Sequence, residues 1–183
     1  KKIMRVHVAN AKVIREPSLD KFKRGLSGVR INKVSRRAKV LILELSNAKS
    51  LVIHLRMTGQ LVYPGNGENA RVTFELSDGK KLDFNDQRLF GELRLLDDWR
   101  KLKFIQDLGP EPKELTLKRF NEILAAKKTK IKPLLLDQKV ISGIGNLYAA
   151  EILFRAKINP YRSASGLLSR EKERIFNAMQ EII

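Results

Sequence analysis

Two hydrophobic periodicities divide the chain. Up to about residue 96 the apolar positions alternate with polar ones in short runs; after that they recur at three- and four-residue spacing. From Ile3 to Val13, Ile3, Val6, Val8 and Val13 interleave with Arg5, His7 and Lys12, which predicts a strand. Pro17-Ser18-Leu19-Asp20 opens a short helical stretch that runs to about Leu26 and ends at Gly25 and Gly28. Val29 to Leu45 holds two strands. Leu51 to Leu55, Gln60 to Tyr63, Ala70 to Leu76, Lys80 to Phe84 and Glu92 to Leu96 supply the rest. Ser77-Asp78-Gly79 marks a hairpin. About eight strands with turn signals between them predict a β-sandwich or barrel.

The second half predicts helices. Asp97 to Asp107 reads as a short one carrying Trp99. Gly109-Pro110-Glu111-Pro112 breaks both patterns and is the expected boundary between a domain at 1–108 and one at 109–183. Thr116 to Lys128 sets Leu117, Phe120 and Leu124 on one face. Leu147 to Lys157 is apolar on most sides, so burial is expected there, with Asn159-Pro160 as its stop. Ser169 is the expected cap of a last helix holding Ile175, Ala178, Met179 and Ile182.

Charge narrows the partners. The chain has 37 Lys+Arg against 20 Asp+Glu, a formal charge of +17 over 183 residues. Such a surplus fits a nucleic acid or an anionic membrane surface. No apolar run approaches a spanning helix and no signal peptide opens the chain, so no membrane role is expected. Cysteine is absent and there are two histidines. Neither a disulfide framework nor a zinc site is expected from these residues.

The candidate chemistry gathers in Ile131 to Phe154. A basic run, Lys127, Lys128, Lys130 and Lys132, leads into Pro133, then Ser142-Gly143-Ile144-Gly145-Asn146 and a helix. The glycines permit a tight turn and a close backbone approach, and Asn146 can cap or contact. A helix N-terminus behind glycines is a phosphate seat. The plain alternative, a glycine turn between two core helices, has equal weight on this stretch alone. Elsewhere, Arg36, Arg37 and Lys39 put three cations at a strand entrance. His54 and Met57 flank a tight turn, where a structural histidine and a core methionine are the ordinary readings. Asp86 to Gly91 reads as a protruding finger with Arg88 and Phe90 two positions apart.

Five segments in order then carry a resemblance. Arg36-Arg-Ala-Lys39, His54-Leu-Arg-Met-Thr-Gly59, Asp86-Gln-Arg-Leu-Phe-Gly91, Gly109-Pro-Glu-Pro112 and Lys132-Pro-Leu-Leu-Leu-Asp…Gly143-Ile-Gly-Asn-Leu-Tyr-Ala-Ala-Glu151 resemble the formamidopyrimidine-DNA glycosylase/endonuclease VIII family. The formamidopyrimidine branch is the nearer. The resemblance implies an α+β protein of two domains: an N-terminal antiparallel β-sandwich, then a helical domain with a helix–two-turn–helix motif. It implies a base-excision repair glycosylase and AP lyase that removes 8-oxoguanine and formamidopyrimidines from double-stranded DNA. Such enzymes bend the duplex and flip the damaged nucleotide out.

By the same resemblance Met57, Arg88 and Phe90 are the wedge that fills the void. Lys39, His54, Lys132, Gly145 and Asn146 contact DNA, with Lys39 also supporting catalysis. The family's nucleophile is an N-terminal proline amine followed by a glutamate. The amine attacks C1′, forms a Schiff base and cleaves by β,δ-elimination. The chain starts at Lys1-Lys2-Ile3-Met4, with neither residue. The family's C-terminal finger, with its one zinc or its zincless counterpart, is also not among these residues, and both ends read as cut. A monomer inside the cell, at the nucleoid, is expected. Two other readings stand beside this one: a non-catalytic nucleic-acid binder using the same helix pair, and an endonuclease VIII-like enzyme for oxidised pyrimidines.

Overall fold

The alternating half of the chain folds as nine strands in two sheets. The structure, a computed structural model, describes residues 1–183. It forms two compact units, Lys1–Leu102 and Lys103–Ile183. The Gly109–Pro112 segment lies inside the second.

In the first unit the strands are β1 (Ile3–Val8), β2 (Ile14–Glu16), β3 (Ile31–Arg37), β4 (Val40–Leu45), β5 (Ser50–His54), β6 (Gln60–Gly65), β7 (Ala70–Leu76), β8 (Lys81–Asn85) and β9 (Glu92–Leu96), with helix α1 (Leu19–Leu26) after β2. Four strands pair in the order β1-β7-β8-β6 and five in the order β2-β9-β5-β4-β3. All pairs are antiparallel except β2 with β9. The inward residues of both sheets meet in one core. Val72, Phe74 and Phe84 from one sheet join Leu43, Leu51, Ile53 and Leu93 from the other, closed by Phe22 and Leu26 of α1. Each such side chain contributes about 1.5–3 kcal/mol by leaving water, which makes this packing the main support of the sandwich.

The strand expected across Ile3 to Val13 is interrupted. The Asn10 side chain accepts from Lys12 N–H and caps a 3-10 turn at Ala11–Val13, so β1 stops at Val8 and β2 starts afresh. The helix expected over Asp97 to Asp107 also divides. Asp98 caps a 3-10 turn at Trp99–Lys101, Leu102 is extended, and only Lys103–Gln106 forms an α-turn, α2.

The second unit holds α3 (Leu117–Ala125), α4 (Ile131–Leu136), α5 (Asn146–Arg155) and α6 (Ser169–Ile182). Phe120, Leu124, Ile131, Leu135, Ile152 and Met179 share its core. Thr116 caps α3 through Arg119 N–H. Ser169 is not the cap of α6: Leu168 holds that place, and the Glu171 carboxylate accepts from its N–H at 2.8 Å. Helix α5 ends before Asn159-Pro160, because Lys157 adopts a left-handed conformation (φ 55°). Nor is α5 buried all round. Ala149, Ile152 and Leu153 face the core, while Leu147, Tyr148 and Phe154 are exposed.

Candidate nucleic-acid interface

In the first unit the site grows out of the strand order. Strand β5 pairs with β9, and β6 pairs with β8, in different sheets. The chain therefore crosses between sheets twice at one end of the sandwich. Residues 55–59 carry it from β5 to β6, and residues 86–91 from β8 back to β9. Register puts His54 opposite Glu92, and Gln60 opposite Asn85, so both crossings start from the same edge.

The first crossing is a tight turn. Gly59 N–H donates to Leu55 O at 2.9 Å. A Cβ at Gly59 would lie 2.3 Å from that carbonyl oxygen, so glycine is needed for the closure. Arg56 takes φ 54°, and Met57 stands at the tip, 74% exposed. The second crossing carries Arg88 and Phe90. Leu89 between them is left-handed at φ 58°. The Arg88 guanidinium lies 4.6 Å from the centre of the Phe90 ring, and Phe90 is 48% exposed. Neither Met57 nor Phe90 is a core residue, so the core reading of Met57 is set aside.

Polar groups under these tips hold them. Asp86 is 1% exposed. Its Oδ1 accepts from the Thr58 hydroxyl and from Arg88 N–H at 3.2 Å, and its Oδ2 accepts from Gly91 N–H at 2.6 Å. Burial alone raises such a carboxyl's pKa; the bonds from Thr58, Gly91, Arg88 and Phe90 outweigh it and hold Asp86 below the usual range. Glu92 works beneath the first turn. Its Oε1 takes Arg56 at 2.7 Å and its Oε2 takes Arg94 at 3.1 Å, while Arg94 also reaches Glu16 at 2.6 Å. Glu92 too stays ionised against burial, through Arg56 and Arg94.

His54 ends β5 beside this cluster. Arg56 N–H donates to His54 Nδ1 at 3.0 Å, so the ring's proton sits on Nε2. Burial first, then the charges of Arg56 and Lys39, lower its pKa to about 4 against the opposing pull of Glu92. His54 is thus a neutral Nε2–H donor at ordinary pH. Lys39 sits in the β3–β4 turn, next to Val40, whose register partner is His54. Partial burial of its ammonium lowers its pKa, although the residue as a whole reaches solvent. Ala38 before it is left-handed, and the Arg36 guanidinium donates to its carbonyl at 2.6 Å.

In the second unit the expected anchor is the connection from α4 to α5. Gly145, not Asn146, is the N-cap, and Asn146 is the exposed first residue of α5. Gly143 takes φ 93°. One side chain organises the two turns: Gln138 Nε2 donates to Leu136 O (2.9 Å) and Ile144 O (2.8 Å), and its Oε1 accepts from Gly143 N–H (2.9 Å). Gly109 fits against them, donating to Gln138 O at 2.9 Å. A Cβ there would lie 2.6 Å from Val140 O and 2.7 Å from Lys139 O. Lys132 is half-buried in α4, its N–H directed to Pro160 O, and Lys130 lies 5.1 Å from the Tyr161 ring centre.

Sequence reasoning missed Asp86, Thr58, Glu92 and Gln138 as supporting groups. Asp86 carried a signal, an acidic residue directly after a strand and five positions before a glycine. Gln138 carried none, since a polar residue between Asp137 and Lys139 reads as surface.

The comparisons with known proteins converge. Residues 1–93 match the family model of the formamidopyrimidine-DNA glycosylase N-terminal domain, and residues 108–183 that of the same enzyme's H2TH domain. The chain belongs to the formamidopyrimidine-DNA glycosylase family. A relative of that name from Pelotomaculum thermopropionicum is 45% identical over 190 residues, covering 100% of this chain and 69% of its own length. The fold agrees with the MutM (Fpg) crystal structure from Thermus thermophilus (TM-score 0.84, 33% identity, 98% of this chain and 66% of that one). It also agrees with the Lactococcus lactis Fpg bound to Fapy-dG-containing DNA (TM-score 0.88, 28% identity, 99% and 71%). The chain therefore spans about two thirds of the length of these family members.

Proposed function

We propose that these residues are the DNA-gripping and lesion-exposing body of a glycosylase that removes oxidised purines, 8-oxoguanine and formamidopyrimidines, from duplex DNA. The observation that carries the reading is the pair of inter-sheet crossings that present Met57, Arg88 and Phe90 together over a buried carboxylate. A backbone binder has no use for an exposed methionine and an exposed phenylalanine on two loops tied at their base; a protein that fills a void in a base stack does. In this reading Met57 enters the void, Phe90 stacks as a wedge, and Arg88 donates to the widowed cytosine. Lys39, His54, Lys132, Gly145 and Asn146 hold phosphates. Asn146 and the N–H groups that open α5 act as an anion seat.

The family's Schiff-base chemistry and β,δ-elimination rest on a proline amine and a glutamate that are not among these residues, so no step is assigned to a side chain here. Zinc belongs to the family's C-terminal finger. These residues do not fit such a site: they include no cysteine, and no three His, Asp or Glu residues are placed to hold an ion. No helix is long and apolar enough to cross a membrane. DNA as the partner fits work inside the cell, and a monomer is the default for this family.

The test is borohydride trapping on the protein as purified, with duplexes carrying 8-oxoguanine opposite cytosine and with undamaged ones. The expected results are a lesion-dependent covalent adduct, or lesion-selective binding where the amine is not present. Equal affinity for the two duplexes with no adduct assigns the chain to plain nucleic-acid binding.

A further inference from the structure

The two wedge-bearing crossings are joined by side chain at Asp86. Its carboxylate is the hub: Oδ1 takes the Thr58 hydroxyl from the Met57 turn and Arg88 N–H from the other loop, while Oδ2 takes Gly91 N–H, which closes that loop. The same residue's carbonyl accepts from Arg71 Nε at 2.8 Å, which fixes the start of the loop to β7. The floor is rigid. Phe84 is fully buried, and a Cβ on Gly91 would lie 2.5 Å from its ring and 3.0 Å from Asp86 Oδ2. The tips are not held this way, since Met57 and Phe90 reach solvent.

We infer that Asp86 is a positioning residue for lesion capture, and that its bond to Thr58 makes the Met57 turn and the Arg88–Phe90 loop one wedge. This rests on the glycosylase reading above. Filling a void needs several side chains to arrive in register. A wedge split into two independent loops would have to order each loop separately on the DNA, at an entropic cost that a pre-formed unit avoids. The tie carries no contact to DNA of its own, so its loss acts on selectivity for a lesion and leaves the phosphate grip alone.

The experiment measures one ratio, Kd for an undamaged duplex over Kd for the same duplex with one tetrahydrofuran abasic-site analogue. Thr58→Val removes the hydroxyl and keeps the shape; Thr58→Ser restores it. The expected result for Thr58→Val is a ratio lowered about tenfold, as loss of one hydrogen bond to a carboxylate predicts, with undamaged-duplex Kd unchanged. Thr58→Ser should regain the unsubstituted ratio. Partial unfolding reduces both affinities in proportion and does not move the ratio, so the readout separates positioning from stability. Asp86→Asn should lower the ratio further. A Thr58→Val ratio equal to that of the unsubstituted protein overturns the inference, as does a Thr58→Ser ratio as low as that of Thr58→Val. A ratio near one in the unsubstituted protein overturns the glycosylase reading itself.

Discussion

The crossings of the first unit and the two-turn connection of the second solve opposite problems. The crossings push side chains outward. Left-handed residues at Arg56 and Leu89 turn Met57 and Phe90 away from the core, and a buried carboxylate absorbs the loop N–H groups beneath. The two-turn connection pushes backbone outward. Gln138 consumes the inward carbonyls of Leu136 and Ile144, and glycines at 143 and 145 leave little in the way of an approaching group. A charged acceptor supports the first and a neutral amide the second. The reason is chemical: loops closing over N–H groups need an acceptor, whereas the two turns leave two carbonyls and the Gly143 N–H, which one amide serves as donor and acceptor at once. The lesson is that side-chain truncation should damage the first region and backbone crowding the second.

The largest expected effect tests the second half of that lesson. Gly109→Val forces a side chain against the Val140 and Lys139 carbonyls, neither of which is the end of a flexible chain. Overpacking against fixed backbone should cost about 3 kcal/mol. Chemical denaturation should show it as a lowered midpoint for the helical unit. An unchanged midpoint would mean that the two-turn connection yields to a side chain at Gly109.

The next effect tests the first half. Phe90→Ala and Arg88→Ala should each weaken binding to a lesion-containing duplex about tenfold, a single well-placed stacking or base-edge contact being worth roughly 1–3 kcal/mol. Binding to undamaged duplex should keep most of its strength. Normal lesion capture by Phe90→Ala would sink the wedge assignment and leave Phe90 as an exposed aromatic without a role.

Much of this was legible in the sequence, and the reasons are uneven. Alternation placed the strands because one face of each sheet is buried, as in β9. It failed at Ala11–Val13 and at Trp99–Lys101, where an Asn and an Asp side chain captured a nearby N–H and bent the chain locally. Glycine and proline positions pointed to both crossings and to the α4–α5 connection. What patterning could not give was the strand order. That order alone brings residues 55–59 and 86–91 to the same end, and with it the partnership of Thr58 and Asp86. The burial of α5 was overread, because Leu147, Tyr148 and Phe154 are apolar yet exposed. Apolar identity marks a core residue only when a second element covers it.

The smallest effect separates the two proposed phosphate contacts, Lys39 and His54, by charge. Lys39 carries a cation to the rim of the β3–β4 turn, and His54, next in register, offers a neutral Nε2–H. Lys39→Ala should therefore lower the slope of log Kd against log salt by about one, since one fewer counterion is released on binding. His54→Ala should weaken binding at every salt concentration and leave the slope alone. The histidine's protonation adds a pH signature. Its folded pKa of about 4 lies below the ordinary value of 6.5, so the unfolded chain binds the proton first. Its contribution to stability is complete above pH 6.5 and is lost as pH falls toward 4, by about 1 kcal/mol for a partly exposed ring. His54→Gln should flatten that part of the stability curve. If instead His54→Ala lowers the salt slope at pH 7 as Lys39→Ala does, bound phosphate draws a proton onto the imidazole. The sandwich unit would then grip DNA with two cations rather than a cation and a neutral donor.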